Sequence, residues 1–259
     1  MIMKHLTLNK MSCLIARLVA VLFLGSLAMT ANAQETAEGS SGSSSIMVGF
    51  KGGFNISEFR NNNALDFWQL DAGSTKIAGA QFLGFFRYQA NPWLAGDVEL
   101  GWSMQGGKIG ASGRIAQGSG TYTYNTHAFQ ANLLANARLP IITVYKPKFF
   151  IGPSLNYNFY ANERYEGVAT GSGIPVEVAE TFDATNAVEP VDFGLVMGLE
   201  FEFDLKFAAL LVDARYRHGF NDLNNAQNNP AYPAFQRQRS AENSGIAVNV
   251  GLGFPIGGK

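Results

Sequence analysis

The chain has 259 residues and a formal net charge of −1 at pH 7. This near balance of charge gives no indication of nucleic-acid binding, and the length fits one folded domain. The single cysteine, Cys13, lies before the apolar run near the N-terminus, so neither a disulfide framework nor a lipid-modified cysteine is predicted. The 29 glycines and the 12% of aromatic residues favour β-structure with many turns.

Residues 1–33 have the pattern of a secretory signal peptide. A basic segment without acidic residues precedes the apolar run 18–29, and Ala31 and Ala33 then form a small-residue cleavage pattern before Gln34. The apolar run has about a dozen residues, whereas a membrane-spanning helix needs about 20. We therefore predict an exported protein; an N-terminal membrane anchor that is retained is the alternative.

The polar, Gly/Ser-rich residues 34–45 are predicted to be a flexible leader. The remaining residues, 46–259, form one predicted domain. Apolar and polar residues alternate in eight segments of this domain, which indicates β-strands, and no segment has a convincing helical period. The eight predicted strands are 46–56, 76–88, 93–105, 122–139, 147–160, 190–203, 206–219 and 245–256.

The connections between these strands alternate between long and short. The long ones are 57–75, 106–121, 161–189 and 220–244, and the short ones are 89–92, 140–146 and 204–205. In an up-and-down meander, all short turns then lie at one end and all long loops at the other. This asymmetry is typical of outer-membrane barrels, which have tight periplasmic turns and large external loops.

The two faces of the predicted strands differ in charge. One face is apolar, aromatic and almost free of charge in all eight segments, whereas the other carries five bases and six acids. Such charges are too costly in a dry core unless they pair with one another, and a charge on a lipid-facing surface would cost about 2–4 kcal/mol at the midplane. The charged side chains predicted to line a barrel interior are Lys51, Arg87, Asp97, Glu99, Arg138, Asp192, Glu200, Glu202, Asp213, Arg215 and Arg217.

Strands in a bilayer satisfy their backbone groups only if the sheet closes. We therefore predict an all-β, eight-stranded antiparallel up-and-down transmembrane β-barrel; a soluble β-sandwich with one polar face is the alternative. Aromatic residues near the strand ends are predicted to form girdles at the two membrane interfaces. The predicted periplasmic girdle is Tyr88, Trp93, Phe149, Phe203 and Phe254, and the predicted external girdle is Trp102, Tyr157, Phe159 and Tyr216.

Five strand segments resemble the PorT-like outer-membrane β-barrel proteins common in Bacteroidota. They are VGFKGGFNIS (48–57), DVELGWS (97–103), FIGPSLNY (150–157), DFGLVMG (192–198) and VDARY (212–216). The resemblance covers roughly residues 46–256 and implies an eight-stranded barrel in the outer membrane of a Gram-negative bacterium. The named member is linked to protein secretion, and that activity is not transferred to this chain.

Three functions are compatible with such a barrel. An eight-stranded barrel is about wide enough for its own side chains, so we expect a filled interior and a structural or surface-binding role, with loops 161–189 and 220–244 as candidate ligand sites. Arg237, Arg239 and several asparagines in the second loop could hold a sugar or a lipopolysaccharide headgroup. The lining glycines Gly194, Gly198, Gly251 and Gly253 would suit a narrow porin-like channel, the alternative.

A lipid-modifying enzyme is the third function. The only histidines after the signal segment, His127 and His218, are not at an informative spacing from Asp213 or Ser244. Because no nucleophile elbow, metal cluster or phosphate-binding loop is present, we predict no catalytic residue, cofactor or metal. The predicted partners are outer-membrane lipid and, during insertion, the barrel assembly machinery, with no nucleic acid.

Overall fold

The structure is a computed structural model, and it describes residues 45–60, 74–113, 118–139, 145–169, 176–205, 207–225 and 241–256. The predicted signal peptide, with Ala31, Ala33 and Gln34, lies outside these ranges. So does the predicted leader except for its last residue, Ser45, which begins the first strand. Within the described residues, no helix has the length and apolar character that crossing a membrane requires.

The described residues are almost entirely β-strand. The strands are β1 (Ser45–Arg60), β2 (Ser74–Thr75), β3 (Ile77–Asn91), β4 (Leu94–Gly113), β5 (Gly118–Arg138), β6 (Tyr145–Ala169), β7 (Val176–Asp183), β8 (Val191–Asp204), β9 (Ala209–Gly219) and β10 (Glu242–Ile256). One turn of 3₁₀ helix, Thr185–Ala187, follows β7.

Eight of these strands close into a ring in which every neighbour is antiparallel. The order around the ring is β1, β3, β4, β5, β6, β8, β9 and β10, and β10 pairs with β1. Closure leaves no unpaired edge around the barrel, so the backbone polar groups find partners within the sheet. The predicted eight-stranded antiparallel β-barrel is confirmed.

The alternation along the strands sorts side chains between the inside and the outside. In β3, every second residue from Ile77 to Arg87 is buried, whereas Phe82 and Phe86 between them are 55% and 45% exposed. In β9, Asp213, Arg215 and Arg217 are buried. The polar face therefore lies inside the barrel and the apolar face outside, which is the reverse of a soluble barrel.

Two predicted long loops are wrong over most of their length. Residues 106–113 and 118–121 continue β4 and β5, and residues 161–169 and 176–183 form the end of β6 and all of β7. The extensions of β4 and β5 are glycine-rich, and in 161–169 and 176–183 charged residues interrupt the apolar positions, so none of these segments carries a continuous apolar face. They are strands because β4, β5, β6 and β7 satisfy one another's backbone groups in sequence.

A β-bulge in β6 changes which residues face inward. His127 pairs with Tyr160 but Ala128 pairs with Asn158, so Phe159 is the extra residue. Beyond this point the inward positions move from even to odd numbers, and Ala161 and Glu163 are buried.

Candidate functional site

A continuous network of ion pairs fills the middle of the barrel. Lys51 of β1 lies 3.0 Å from Glu99, 2.7 Å from Glu200 and 3.3 Å from Asp213. Arg215 donates to both oxygens of Glu99, at 2.7 and 3.1 Å, and to both oxygens of Asp213, at 2.7 and 2.9 Å. Paired, charge-assisted hydrogen bonds of this kind fix the positions of the partners as well as their charge.

The same network continues toward the β3–β4 turn at 92–93 and the C-terminal end of β8. Arg87 holds Asp97 through two hydrogen bonds of 2.6 and 2.8 Å and lies 2.8 Å from Glu200. Lys148 of β6 pairs with Glu202. We call this set the interior charge cluster; its members are Lys51, Arg87, Asp97, Glu99, Lys148, Glu200, Glu202, Asp213 and Arg215.

All eight barrel strands contribute a side chain to this cross-section. Strands β1, β3, β4, β6, β8 and β9 provide the charged groups. The amides of Asn132 in β5 and Asn249 in β10 complete the ring, because they donate to Glu99 at 2.9 Å and to Asp213 at 2.7 Å. The ring of Phe85 lies beneath it, 5.2 Å from the Lys51 ammonium. Side chains from every wall therefore meet at the barrel axis.

Ten of the eleven charged residues predicted for the interior are buried. Arg217 and Asp192 form a separate pair at 2.7 Å, and eight others belong to the interior charge cluster. Arg138 is the exception: it ends β5, is only half-buried, and forms no ion pair within the described part of the chain. The ten are Lys51, Arg87, Asp97, Glu99, Asp192, Glu200, Glu202, Asp213, Arg215 and Arg217.

Lys148 is buried in the interior charge cluster but was not among the residues predicted for the interior. The alternation in β6 does indicate its position. Lys148 is even-numbered like the inward-facing Ser154 and Asn156, whereas the outward-facing Phe149 and Ile151 are odd-numbered. Lys148 lies next to a predicted turn, where charged residues often flank a strand and face water. Its inward position was therefore not predicted.

Space beside the lining glycines is occupied by neighbouring side chains. A Cβ at Gly251 would lie 2.7 Å from Cγ of Lys51, and a Cβ at Gly198 would lie 2.6 Å from Cζ of Phe150. At Gly194 the guanidinium of Arg217 lies 3.2 Å from that position, and at Gly253 the side chain of Met47 fills it. At these four positions a glycine admits a large neighbouring side chain where a Cβ would otherwise lie.

An amide-rich layer lies on the other side of the cluster, toward the long connections; its amides are Asn55, Gln81, Gln105 and Gln130. It surrounds a cavity of about 20 Å³, which has room for about one water molecule. Both side-chain polar atoms of Asn55, and one each of Gln130, Asn156 and Arg217, are buried without a hydrogen-bond partner in the described structure. A polar cavity with such unsatisfied groups is suited to ordered water.

A small apolar cluster covers this layer. Phe59 near the end of β1 packs against Leu223 of the β9–β10 connection, and both are more than 90% buried. Tyr124, Val188 and Ala241 surround them. The backbone of Leu223 is held by hydrogen bonds to Ala241 and Glu189, at 2.8 Å each. We call this cluster the apolar lid.

The residues predicted as aromatic girdles lie on the outer face at the two ends of the barrel. Trp102 stacks on His127 at 5.7 Å between ring centroids, and Phe159 packs against Phe129 at 4.7 Å. The predicted residues are all exposed or half-exposed: Tyr88, Trp93, Trp102, Phe149, Tyr157, Phe159, Phe203, Tyr216 and Phe254.

A four-stranded sheet extends past the external girdle. It consists of residues 104–113 of β4, 118–127 of β5 and 160–169 of β6, together with β7. We call it the external sheet. β6 pairs with β8 as far as Tyr157 and with β7 from Asn162 onward, so β7 takes over from β8 as the neighbour of β6.

The C-terminal end of β7 is anchored to β6. The Ala184 N–H donates to the Ala161 carbonyl at 2.9 Å, and the Ala161 N–H donates to the Thr185 hydroxyl at 3.1 Å. Asp183 accepts a hydrogen bond from the Thr185 N–H at 2.9 Å. Hydrogen bonds from the Thr185 side chain and backbone hold the pKa of Asp183 below its ordinary value of 3.8.

No metal site is formed by the His, Cys, Asp and Glu residues that the structure describes. His127 is stacked among aromatic rings on the outer face. His218 contacts Arg60 and Tyr216, at 3.3 Å each. Most of the predicted binding loop 220–244, including Arg237 and Arg239, lies outside the described residues.

Comparison with known proteins places the chain in a family. A family model described as an outer membrane protein beta-barrel domain matches residues 32–225. No curated protein matches the chain. The chain is similar to the crystal structure of the outer membrane protein OprG from Pseudomonas aeruginosa, at 11% identity and a TM-score of 0.46, over 84% of this chain and 99% of that one.

Two further solved structures are similar at lower TM-scores. Neisserial surface protein A shares 12% identity at a TM-score of 0.37, over 82% of this chain and 98% of that one. Ail, the attachment invasion locus protein of Yersinia pestis, shares 11% identity at 0.34, over 81% and 99%. Because the family model covers most of the chain, the protein belongs to the outer membrane protein beta-barrel domain family and is a β-barrel of the outer membrane.

Proposed function

We propose that the chain is a non-conducting outer-membrane barrel that serves as a rigid base for a surface-binding site. The interior charge cluster is the observation that supports this most, because side chains from all eight strands meet at one level. The apolar lid adds packed side chains toward the external end, and the cavity next to Arg215 and Arg217 has room for about one water. The part free to make contacts is then the external sheet.

A narrow channel for small solutes is the second candidate. The amide-rich layer favours it, because its unsatisfied polar atoms could accept water and small polar solutes. A route through the barrel would still require the interior charge cluster to separate. Breaking a buried, hydrogen-bonded ion pair typically costs about 3–5 kcal/mol, and Lys51 alone has three partners.

The proposal includes no catalysis, so the predicted absence of enzyme activity stays part of it. It includes export by a signal peptide cleaved between Ala33 and Gln34, insertion by the barrel assembly machinery of a Gram-negative bacterium, and contact with outer-membrane lipid through the aromatic girdles. Membership of the PorT-like group, suggested by the five strand segments, also stays a proposal. Mass spectrometry of the protein purified from outer membranes tests the cleavage site.

The main test is conductance. The chain without residues 1–33 is folded into planar phosphatidylcholine bilayers, with the shift in gel mobility between heated and unheated samples as the control for folding. We expect no current steps above background from folded protein. Discrete steps of picosiemens or more, in proportion to the folded fraction, would contradict the non-conducting barrel and favour the channel.

A further inference from the structure

β7 is the edge of the external sheet and has an unpaired side in the described structure. It pairs with β6 in one continuous register, from Asn162 with Asp183 to Ala169 with Val176, and no other described strand lies against it. Seven of its eight residues are exposed. An open edge presents backbone donors and acceptors to any extended chain that approaches.

The register shows which residues of β7 offer their backbone to a partner. Ala184 donates its N–H to Ala161 of β6, and in an antiparallel pair the backbone groups point alternately to the two sides. Even-numbered residues such as Val178 and Glu180 therefore bond to β6. The N–H and C=O groups of Glu177, Ala179 and Thr181 point to the open side.

Apart from its three acidic side chains, β7 lacks the features that usually protect an edge strand from pairing. It contains no proline and no lysine, and its register with β6 shows no bulge. Two large apolar side chains, Val176 and Phe182, are 55% and 52% exposed. Both residues are even-numbered and so lie on the same face of the sheet, where side chains of an added strand could pack against them.

The charge of β7 selects the partner. The strand carries Glu177, Glu180 and Asp183 and no base, while the nearest base on β6, Arg164, is already paired with Glu166 at 2.7 Å. A second copy of β7 would bring three acids against three acids, which opposes pairing. An extended segment that carries lysine or arginine would pair its charges with the same residues.

We propose that β7 binds an extended, basic segment of another protein by adding it as a further strand of the external sheet. The inference rests on the proposed surface-binding function and adds the binding mode and the class of partner. Backbone hydrogen bonds along the open side of β7 provide the attachment, and the acids of β7 select the positive charge.

The test uses the full mature chain in neutral phosphatidylcholine liposomes and a blocked, fluorescein-labelled octapeptide of alternating lysine and threonine. The Ala179→Pro variant removes one outward N–H and no bond to β6, and edge strands tolerate proline at such a position. We expect Ala179→Pro to weaken peptide binding about tenfold or more, the equivalent of about 1.4 kcal/mol. Ala179→Ser, which keeps the N–H, should bind within about twofold of the parent.

Charge is tested separately. The double variant Glu177→Gln/Glu180→Gln should bind the lysine peptide more weakly and lose most of its salt dependence, and a peptide of alternating glutamate and threonine should not bind the parent. Equal binding by the parent and Ala179→Pro, or equal binding of the two peptides, would overturn the inference. So would a dimer, seen by analytical ultracentrifugation, that Ala179→Pro dissociates.

The two proposals fail in different ways. Current steps from the same folded protein would contradict the non-conducting barrel, whatever the peptide does. Silent bilayers together with no binding of the lysine peptide would overturn strand addition and leave the closed barrel intact. The heat-dependent gel shift of each variant shows that a loss of binding does not come from misfolding.

Discussion

Arg215 holds two carboxylates at once in the interior charge cluster. Its guanidinium makes two hydrogen bonds to Glu99 and two to Asp213, and its Cζ lies 5.2 Å from the centroid of the Phe150 ring. We expect Arg215→Ala to lower the free energy of unfolding by about 3–5 kcal/mol, because it leaves buried acids without their partner. Urea titration of the barrel in liposomes, followed by gel mobility, measures the change.

Arg138 provides the matched control. The same substitution there removes an arginine that was also predicted for the inner face, but that is half-buried and has no ion pair in the described part of the structure. We expect Arg138→Ala to change stability by less than about 1 kcal/mol. Equal losses from the two variants would show that the interior charge cluster does not stabilise the barrel.

Gly251 is required by the side chain that lies over it. An added methyl group would meet Cγ of Lys51 at 2.7 Å as well as the backbone of β1. Overpacking of this kind costs about 1–3 kcal/mol, so Gly251→Ala should lower the urea midpoint. At Gly52 the nearest atom, Cδ2 of Phe82, is 3.8 Å away, so Gly52→Ala should leave the midpoint nearly unchanged. A stable Gly251→Ala variant would contradict the close fit.

Sequence alone identified which residues face inward but not which atoms meet. Alternation assigns Lys51, Glu99 and Arg215 to one face, and the need to pair buried charges implies that they meet. The choice of partner depends on register between strands that are far apart in the chain; Glu99 and Arg215 are 116 residues apart. Arg138 shows the limit, since a long side chain at the last residue of a strand can reach water whatever its parity.

At the scale of the elements, the strands were predicted where one face is continuously apolar and were missed where charged or glycine residues interrupt both faces. Lipid requires an apolar outer face, so the alternation of apolar and polar residues marks only the membrane-spanning part of β4, β5 and β6. Above the external girdle, water surrounds both faces and the alternation disappears. Residues 161–169 and 176–183 therefore resembled a loop, although each strand satisfies its neighbour's backbone.

The connection that anchors β7 should respond to pH through Asp183. Its pKa is lowered by hydrogen bonds from Thr185, so the ionised form is the one that stabilises the connection. This contribution is complete above the ordinary pKa of 3.8 and is lost as the pH falls below it through the lowered pKa. We expect amide protection in residues 176–187, measured by hydrogen exchange and corrected for intrinsic rates, to be constant from pH 5 to 8 and to fall below pH 3.8.

Asp183→Ala should reduce that protection between pH 5 and 8 to the level that the parent reaches in acid, and it should abolish the acid-dependent step. Asp222 is a suitable control because it also accepts backbone N–H groups in an external connection, from Asn224 and Ala241, and these two bonds lie in the β9–β10 connection. An acid-dependent step that survives in Asp183→Ala, or one that disappears in Asp222→Ala, would show that another group is responsible.

At the scale of the whole molecule, the proposed non-conducting barrel rests on two levels of packed side chains. The interior charge cluster brings side chains from all eight strands to the middle, and Phe59 and Leu223 of the apolar lid pack together toward the external end. The loop asymmetry and the charged inner face were enough to predict a filled interior. The lid could not be predicted, because Leu223 lies in a polar connection and only the fold brings it to Phe59.

The interior charge cluster and the apolar lid, as the two proposed levels of closure, lead to a prediction about conductance. Replacing both Lys51 and Arg215 with serine would remove two large side chains from the axis. Glu99 and Asp213 would lose the cations that pair with them, and Glu200 would keep only Arg87 and Lys148. Water should then enter the middle of the barrel, and a ring of carboxylates favours cations. If the lid is also removed, by Phe59→Ser, we expect current steps that are selective for cations.

The two closures are separated by comparing variants in the same bilayers. Arg215→Ala alone should stay silent, because the remaining members of the cluster still fill the axis and the lid is intact. The Lys51→Ser/Arg215→Ser variant should stay silent as long as Phe59 is present. Steps from that double variant would show that the lid does not seal the barrel, and anion selectivity in the triple variant would contradict the proposed role of the three carboxylates. Gel mobility of each variant confirms that the protein recorded is folded.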